Sequence, residues 1–523
     1  MPIPMSPALV HFLLPLAAFL LAASWLETFA ARQWEPRTWH RPRVLLVRSL
    51  VLTVIYGFWL GLTERPVTAL ILGLAMVGVF VASSRAKEQL LGEPLVFLDL
   101  QFVGQILRHP RLYYAQLLLA PRNAIIGLAI LLAVGGLLFA LATMEKPLEV
   151  RMPVLWKLFL LSGPILLWAL PRQKNIAGWI QSFLPEPAAE LRPQIATTRW
   201  GIFVPMIAHY SRWIAEKHKP LGVRPLHLPR ANAELLPHVL AVQCESFIDP
   251  ARIFRHAPDL PYFRAAKHDA AAQGPLDVPC GGAYTMRTEF SFLTGIPPEA
   301  LGCDRFNPYA RAERRQYPSL AKTLKEAGYE TDFVHPHDLR FFRRDGVMPS
   351  LGFDRLHGDD EFHAAPRCGP HVSDAAVAAY LGRLLEESSQ PRFVFAVTME
   401  NHGPWFPRRF PGCNSARDAY LQHLVNSDGM LGMLTGLASR LDRRVVICWY
   451  GDHSPILDYD IAHERPPHTD YLITTHEPSR SSAPRPSILN AHELPYVLLS
   501  LIESISRPEE TSWNLTPCET ISR

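Results

Sequence analysis

The stretch Val445-Val446-Ile447-Cys448-Trp449-Tyr450-Gly451-Asp452-His453-Ser454-Pro455 decides how this chain reads. Its first residues form a short apolar run of β-branched and aromatic side chains, the composition of a buried strand. The run passes through Tyr450-Gly451 and delivers a carboxylate and an imidazole side by side, at Asp452 and His453. A second run, His238–Gln243, leads directly into Cys244-Glu245-Ser246-Phe247 and places another carboxylate just past a strand end. Further strand-like runs lie at Thr331–Val334 and Phe393–Thr398, with helix-like stretches at Tyr317–Ala327, Ser373–Leu385 and Ala419–Leu441 between the runs. Strand alternating with helix predicts an α/β domain with a mainly parallel central sheet and helices on both faces. Such sheets gather ligands at the carboxyl ends of their strands.

Upstream the character is different. Apolar stretches at Leu9–Leu26, Leu45–Leu62, Thr68–Ala82, Ala124–Ala142 and Val154–Leu170 approach or meet the roughly 20 residues that cross a bilayer core as helix. The first has no Lys or Arg before it and no small-residue cleavage site after it, so it reads as a retained helix rather than a signal peptide. The segment around 87–120 mixes apolar and charged residues and reads as interfacial helices, or as a buried connector. The expected organisation is a transmembrane bundle of about five spans over 1–171, a linker over 172–229, a catalytic domain over 230–507 and a tail over 508–523. Hydrophobic residues make up 48% of the 523 and charged residues 19%, which excludes a disordered or fibrous chain. A net charge of +4 without a basic block excludes nucleic acid as a partner.

Topology sets two rules against each other. Arg32, Arg37, Arg41, Arg43 and Arg48 load the first loop, and Arg85, Lys87, Arg108, Arg111 and Arg122 load the third. The positive-inside rule puts both in the cytoplasm, and five spans then leave the large domain inside as well. A re-entrant Val154–Leu170 would leave four spans and put that domain outside.

Glu245, Asp452 and His453 form a mixed oxygen and nitrogen set that suits a divalent ion such as zinc or manganese with an open position. Singly, each has a plainer reading: a cap, a surface carboxylate, a turn pair. The segment Cys280-Gly281-Gly282-Ala283-Tyr284-Thr285 lets backbone approach a ligand and then sets a hydroxyl at the start of a predicted helix. Helix amino termini bind oxyanions, and a metal-coordinated hydroxyl is activated as coordinated water is. Thr285 is therefore the candidate nucleophile, against the alternative of a simple N-cap. Thr288 is a competing hydroxyl, farther from the glycine pair.

The set Glu245-Ser-Phe, Tyr284-Thr285 with Glu289-Phe290, Glu400-Asn401-His402-Gly403-Pro404 and Tyr450-Gly-Asp-His-Ser-Pro455 resembles the lipoteichoic acid synthase-like group of the alkaline phosphatase/sulfatase superfamily. The resemblance spans roughly 236–501 and implies a membrane-anchored transferase that moves phosphoglycerol or phosphoethanolamine from a phospholipid donor to a glycan or polyol-phosphate acceptor. It implies that Glu245, Thr285, Asp452 and His453 bind one divalent metal: manganese first, with magnesium or zinc as alternatives. It gives Thr285 the role of nucleophile, through a phosphothreonine intermediate, and His402 that of a phosphoryl contact or general acid/base. His335 and Arg344 match headgroup-holding positions, while Phe342 stands where the group often has tryptophan. The implied location is a bacterial plasma membrane, with the catalytic domain extracytoplasmic. The phosphoglycerol reading leads. Phosphoethanolamine transfer and a non-catalytic lipid-binding relative are the alternatives. No cysteine sits in the Cys/Ser-x-Pro-x-Arg pattern that a formylglycine sulfatase needs. Cys244 and Cys448 read as buried thiols, and Cys280 with Cys303 and Cys368 with Cys413 as possible bridges.

Overall fold

The computed structural model of the chain describes residues 7–30, 41–108, 136, 140, 144–145, 152–184, 190–218, 221–229, 233–461, 468–475 and 487–506. Nearly all of the expected span at Ala124–Ala142, the later part of the expected interfacial segment and the tail lie outside these residues. The chain forms two compact units. One comprises Met1–Gly222 with Cys280–Ala283 and Pro298–Ala310, and the other the remaining residues.

The first unit is helical. Pro42 and Pro66 open helices Pro42–Thr63 and Pro66–Leu91 at positions where proline's missing N–H costs nothing. The same helices close on left-handed residues, Glu64 and Gly92. Three helices, Pro42–Thr63, Pro66–Gln89 and Val154–Arg172, are long and apolar enough to cross a membrane. A further apolar helix, Pro7–Glu27, packs beside them, with Phe19 and Ala23 in a core shared with Leu52, Tyr56, Leu60 and Val77.

Val154–Ala169 is one continuous helix. It runs antiparallel along Pro42–Thr63, so closely that a Cβ on Gly163 would sit 2.7 Å from Val54 Cγ1 and one on Gly57 3.0 Å from Leu160 Cδ2. Small residues at such contacts let helix backbones approach, the usual device for packing without a hydrophobic drive. Lys157 Nζ meets Glu64 Oε1 at 2.6 Å at one end of the pair. At the other end, Arg48 Nη2 meets Glu27 Oε2 at 2.7 Å, Ile202 N donates to Glu27 Oε1 at 2.9 Å, and Ser84 Oγ donates to the Ala30 carbonyl at 2.9 Å. Arg48, Ser84 and the carboxyl end of Val154–Arg172 therefore share one end of the bundle.

In the segment expected to be interfacial, Phe97, Leu98 and Phe102 turn into the bundle, and Lys87 Nζ is held by Glu93 at 2.8 Å and Asp99 at 2.7 Å. The described part is thus the buried connector. The segment 172–229, which shows no clear pattern in sequence, contains helices Lys174–Phe183, Pro193–Trp200 and Phe203–Ala215. Each is only 10, 8 or 13 residues long, and Pro193 and Gly201 break the period before it accumulates.

The second unit is built on an eight-stranded sheet in the order β10-β2-β9-β8-β1-β7-β3-β4. Its parallel heart is β8 (Val445–Gly451), β1 (His238–Cys244), β7 (Arg392–Val397), β3 (Glu330–Val334) and β4 (Arg355–His357). β9 (Thr469–Thr475) is antiparallel to both β8 and β2 (Ala272–Asp277), and the short β10 (Leu489–Asn490) lies parallel to β2. Every residue of β1, β7 and β8 is buried, as expected of strands covered on both faces. On one face Leu240, Val242, Ile447 and Trp449 pack against helices Asp374–Glu386 and Ala416–Ala438. Phe292 of helix Thr285–Thr294 stacks on Phe395 and Tyr450 at 5.6 and 4.9 Å between ring centroids. Each such side chain contributes about 1.5–3 kcal/mol through burial.

Candidate metal and phosphoryl site

Parallel register assembles the acidic cluster. Cys244 pairs with Gly451, so the next residues along each strand, Glu245 and Asp452, leave the sheet beside one another. Gly451 is obligatory, because a Cβ there would lie 1.9 Å from the Phe247 carbonyl oxygen. Ser246 turns the chain at φ 52° and donates its N–H to Asp452 Oδ1 at 2.8 Å. The His453 amide adds a second bond to that oxygen at 2.9 Å. Glu245 is oriented by Thr398, whose hydroxyl accepts the Glu245 amide at 3.0 Å, and by Ser246 Oγ, which donates to Glu245 Oε1 at 2.9 Å.

His453 Nε2 lies 3.2 Å from Asp452 Oδ2 and 3.5 Å from Glu245 Oε1, and all three residues are buried. Among the described residues, Asp452 Oδ2 is buried and accepts no hydrogen bond. Burial first, and Asp452 second, push Glu245 up to about 8, with His453 opposing. Two close carboxylates and an imidazole, one oxygen lacking a donor, are a set that a divalent cation completes. The donor chemistry therefore fits the expected metal.

Thr285 opens helix Thr285–Thr294, preceded by Gly282 at φ 79° and Tyr284 at φ 63°. The Thr285 carbonyl accepts from Gln243 Nε2 at 3.4 Å, and Gln243 Oε1 in turn accepts from the Tyr450 hydroxyl at 3.0 Å. Thr288 Oγ1 is buried and donates to the Asp452 carbonyl at 2.7 Å, which commits it as a structural tie. Thr285 lies one turn earlier, on the same side of the helix as this tie, and is partly exposed.

His402 donates Nδ1–H to the Gly403 carbonyl at 2.6 Å, the only polarity that bond allows, which leaves Nε2 as an acceptor. Burial lowers its pKa, so the ring is neutral and suited to take up a proton. His335 donates Nδ1–H to the Val397 carbonyl at 3.0 Å, and its Nε2 accepts from Arg344 Nη1 at 3.1 Å. Burial and then Arg344 hold His335 well below its ordinary range. Arg344 is itself buried and paired through Nε and Nη2 with Glu289, Nε at 3.1 Å. Neither side chain is solvated: His335 and Arg344 are both buried.

The supporting residues Gln243, Thr398 and Glu289 carry no sequence signal of their own, although Glu289 stands inside a quoted motif. All six described cysteines, including Cys280, Cys303, Cys368 and Cys413, are free thiols. Neither of the two expected bridges is formed. Cys280 Sγ donates to the Ala283 carbonyl at 2.8 Å, and Cys303 Sγ to the His209 carbonyl at 3.5 Å.

The Sulfatase family model matches residues 237–488, which contain every site residue above. The chain is 32% identical over 461 residues to the capsular polysaccharide biosynthesis protein RkpI of Rhizobium meliloti, covering 84% of this chain and 83% of that one. It is 26% identical to a putative cyclic beta-1,2-glucan modification protein of the same organism, over 83% of this chain and 70% of the relative. Among solved structures, the integral membrane lipooligosaccharide phosphoethanolamine transferase A of Neisseria meningitidis shares the fold at a TM-score of 0.53 and 12% identity, covering 92% of this chain and 95% of that one.

Proposed function

This chain belongs to the lipoteichoic acid synthase-like family of the alkaline phosphatase/sulfatase superfamily, and on that premise we propose that it is a membrane-anchored transferase moving phosphoglycerol from phosphatidylglycerol to a cell-surface glycan. The observation that carries the reading is the buried Glu245–Asp452–His453 cluster, with an Asp452 oxygen lacking a donor among the described residues, to which Thr288, one helical turn after Thr285, is tied through the Asp452 carbonyl. The names of the two rhizobial relatives, a capsular polysaccharide protein and a glucan modification protein, support a glycan acceptor.

Glu245, Asp452, His453 and Thr285 would hold one divalent ion, manganese on the phosphoglycerol reading and zinc on the phosphoethanolamine one. Such an ion lowers a hydroxyl's pKa and offsets charge on phosphoryl oxygens. Thr285 Oγ attacks phosphorus, its proton passing to His402 Nε2. The bond from phosphorus to the diacylglycerol oxygen breaks, and that oxygen takes the proton. The phosphothreonine diester is then opened by an acceptor hydroxyl, with His402 again moving the proton. Arg344, paired with Glu289, donates to His335 Nε2 and so fixes the two side chains assigned to the headgroup. A lipid donor accounts for an enzyme tied to spanning helices, with its catalytic domain on the extracytoplasmic side.

The deciding experiment incubates the full-length protein with labelled phosphatidylglycerol and, separately, phosphatidylethanolamine, and follows diacylglycerol release. Release from phosphatidylglycerol alone is expected. Release from phosphatidylethanolamine alone assigns the other donor, and release from neither ends the transferase reading.

A further inference from the structure

Beside His402 lies a small hairpin that no motif singled out. β5 (Arg367–Cys368) and β6 (His371–Val372) are antiparallel and joined by Gly369-Pro370, with Gly369 at φ 63°. Cys368 pairs directly with His371, so the two side chains project from one face of the hairpin. From that face Cys368 Sγ accepts from Asn426 Nδ2 at 3.8 Å, and Asn426 also donates to Glu400 Oε1 at 2.6 Å. The hairpin is thus seated on the same Glu400-Asn401-His402 loop that carries the general base. The His371 ring lies 5.7 Å from the His402 ring, centroid to centroid, at 56°.

Cys368, Glu400 and His423 offer ligand atoms within 4.8 Å of one another. They nevertheless make a poor cation site. His423 Nε2 accepts from the Arg409 guanidinium at 3.1 Å, and the Glu400 oxygens accept from Asp374 N at 2.6 Å and His423 Nδ1 at 3.0 Å as well as from Asn426. Their hydrogen bonds are committed, and a positive charge already sits there. This group is the hairpin's seat, and what it holds in place is His371.

His371 itself is uncommitted. Among the described residues its ring nitrogens make no hydrogen bond, and the ring is half-buried with the His402 ring as its neighbour. The N–H of an uncommitted imidazole suits an anion rich in acceptor oxygens, and the His402 ring stands next to it. We propose that His371 is a second phosphoryl-binding imidazole, which donates to the non-bridging oxygens of the phosphodiester while His402 handles the proton. This rests on the transferase reading.

The test compares wild type, His371→Ala and His371→Gln as full-length proteins, with short-chain phosphatidylglycerol and phosphatidylethanolamine as donors. His371→Ala should lose about ten- to hundredfold in kcat/KM, most of it through KM, with metal content and melting temperature unchanged. His371→Gln, which keeps a donor of similar reach, should recover part of the loss, an effect a purely structural role would not produce. If the alanine variant melts early, the glutamine variant decides by its KM. If the wild type turns over the donor and His371→Ala keeps the wild-type KM, the role of His371 alone is overturned. A wild type that releases diacylglycerol from neither donor overturns the transferase reading and His371 with it.

Discussion

Asp452 carries two oxygens in opposite situations. Oδ1 takes two backbone amides, while Oδ2 is buried with no donor. A buried carboxylate oxygen left unpaired costs at least about 1–3 kcal/mol, and Glu245 beside it adds like-charge repulsion. Loading with a divalent ion should therefore stabilise the protein, and elemental analysis should find about one ion per chain, lost in Asp452→Asn. A variant that keeps its metal would exclude Asp452 as a ligand. Thr285→Ala removes one partly exposed hydroxyl at the first residue of its helix and leaves the Thr288 tie, one turn later, intact. It should abolish diacylglycerol release with the circular dichroism spectrum and melting temperature unchanged, and turnover near wild type would remove Thr285 from the mechanism. At this scale the sequence was most legible for residues adjacent to strand ends. Glu245, Asp452 and His453 each follow a visible apolar run. The link between Arg344 and Glu289 spans 55 positions and leaves no local trace.

Among the elements, β3 shows what holds the sheet's edge. Asp332 is fully buried and bound by Arg355 Nε at 2.8 Å and His357 Nε2 at 2.8 Å, with Arg392 Nε at 3.6 Å. Burial alone would raise its pKa, but these partners outweigh it and hold the carboxyl below its ordinary 3.8. A depressed folded-state pKa means the stabilisation is present above about 3.8 and fades as pH falls through the folded value. Asp332→Ala removes a buried carboxylate shared by Arg355, His357 and Arg392, while Glu330 keeps both arginines paired, and should cost about 1.5–3 kcal/mol in chemical denaturation; Asp332→Asn should flatten the loss of stability below about pH 4. An acid limb identical to wild type would contradict this. The central strands were legible because burial on both faces makes them continuous apolar runs. β2 was not, because Ala272–Asp277 contains Gly274 and Pro275 and is only partly buried. It is a strand through its pairing with β9.

At the scale of the whole molecule, the helical unit answers part of the topology question. The end carrying Arg48, Ser84 and Glu27 is the end at which the helix Val154–Arg172 finishes. Cysteines introduced as Arg41→Cys and Gln173→Cys should be labelled from one side of the membrane by an impermeant thiol reagent, and Arg65→Cys from the other. Labelling of Arg41→Cys and Arg65→Cys from the same side would rule the arrangement out. The arginine bias is weaker than a count suggests, because Arg48 is neutralised by Glu27, and Lys87 by Glu93 and Asp99. A charge already paired within the fold contributes little to orientation in the field of the membrane. By itself the sequence determined the division into apolar helices and an α/β domain, and the motif residues at the strand ends, because periodicity and strand composition are local properties. Only the tertiary structure decided that Val154–Ala169 packs antiparallel on Pro42–Thr63, that Thr288 is tied while Thr285 is not, and that His371 stands beside His402. Each of these depends on contacts between residues far apart in the chain, which no local pattern encodes.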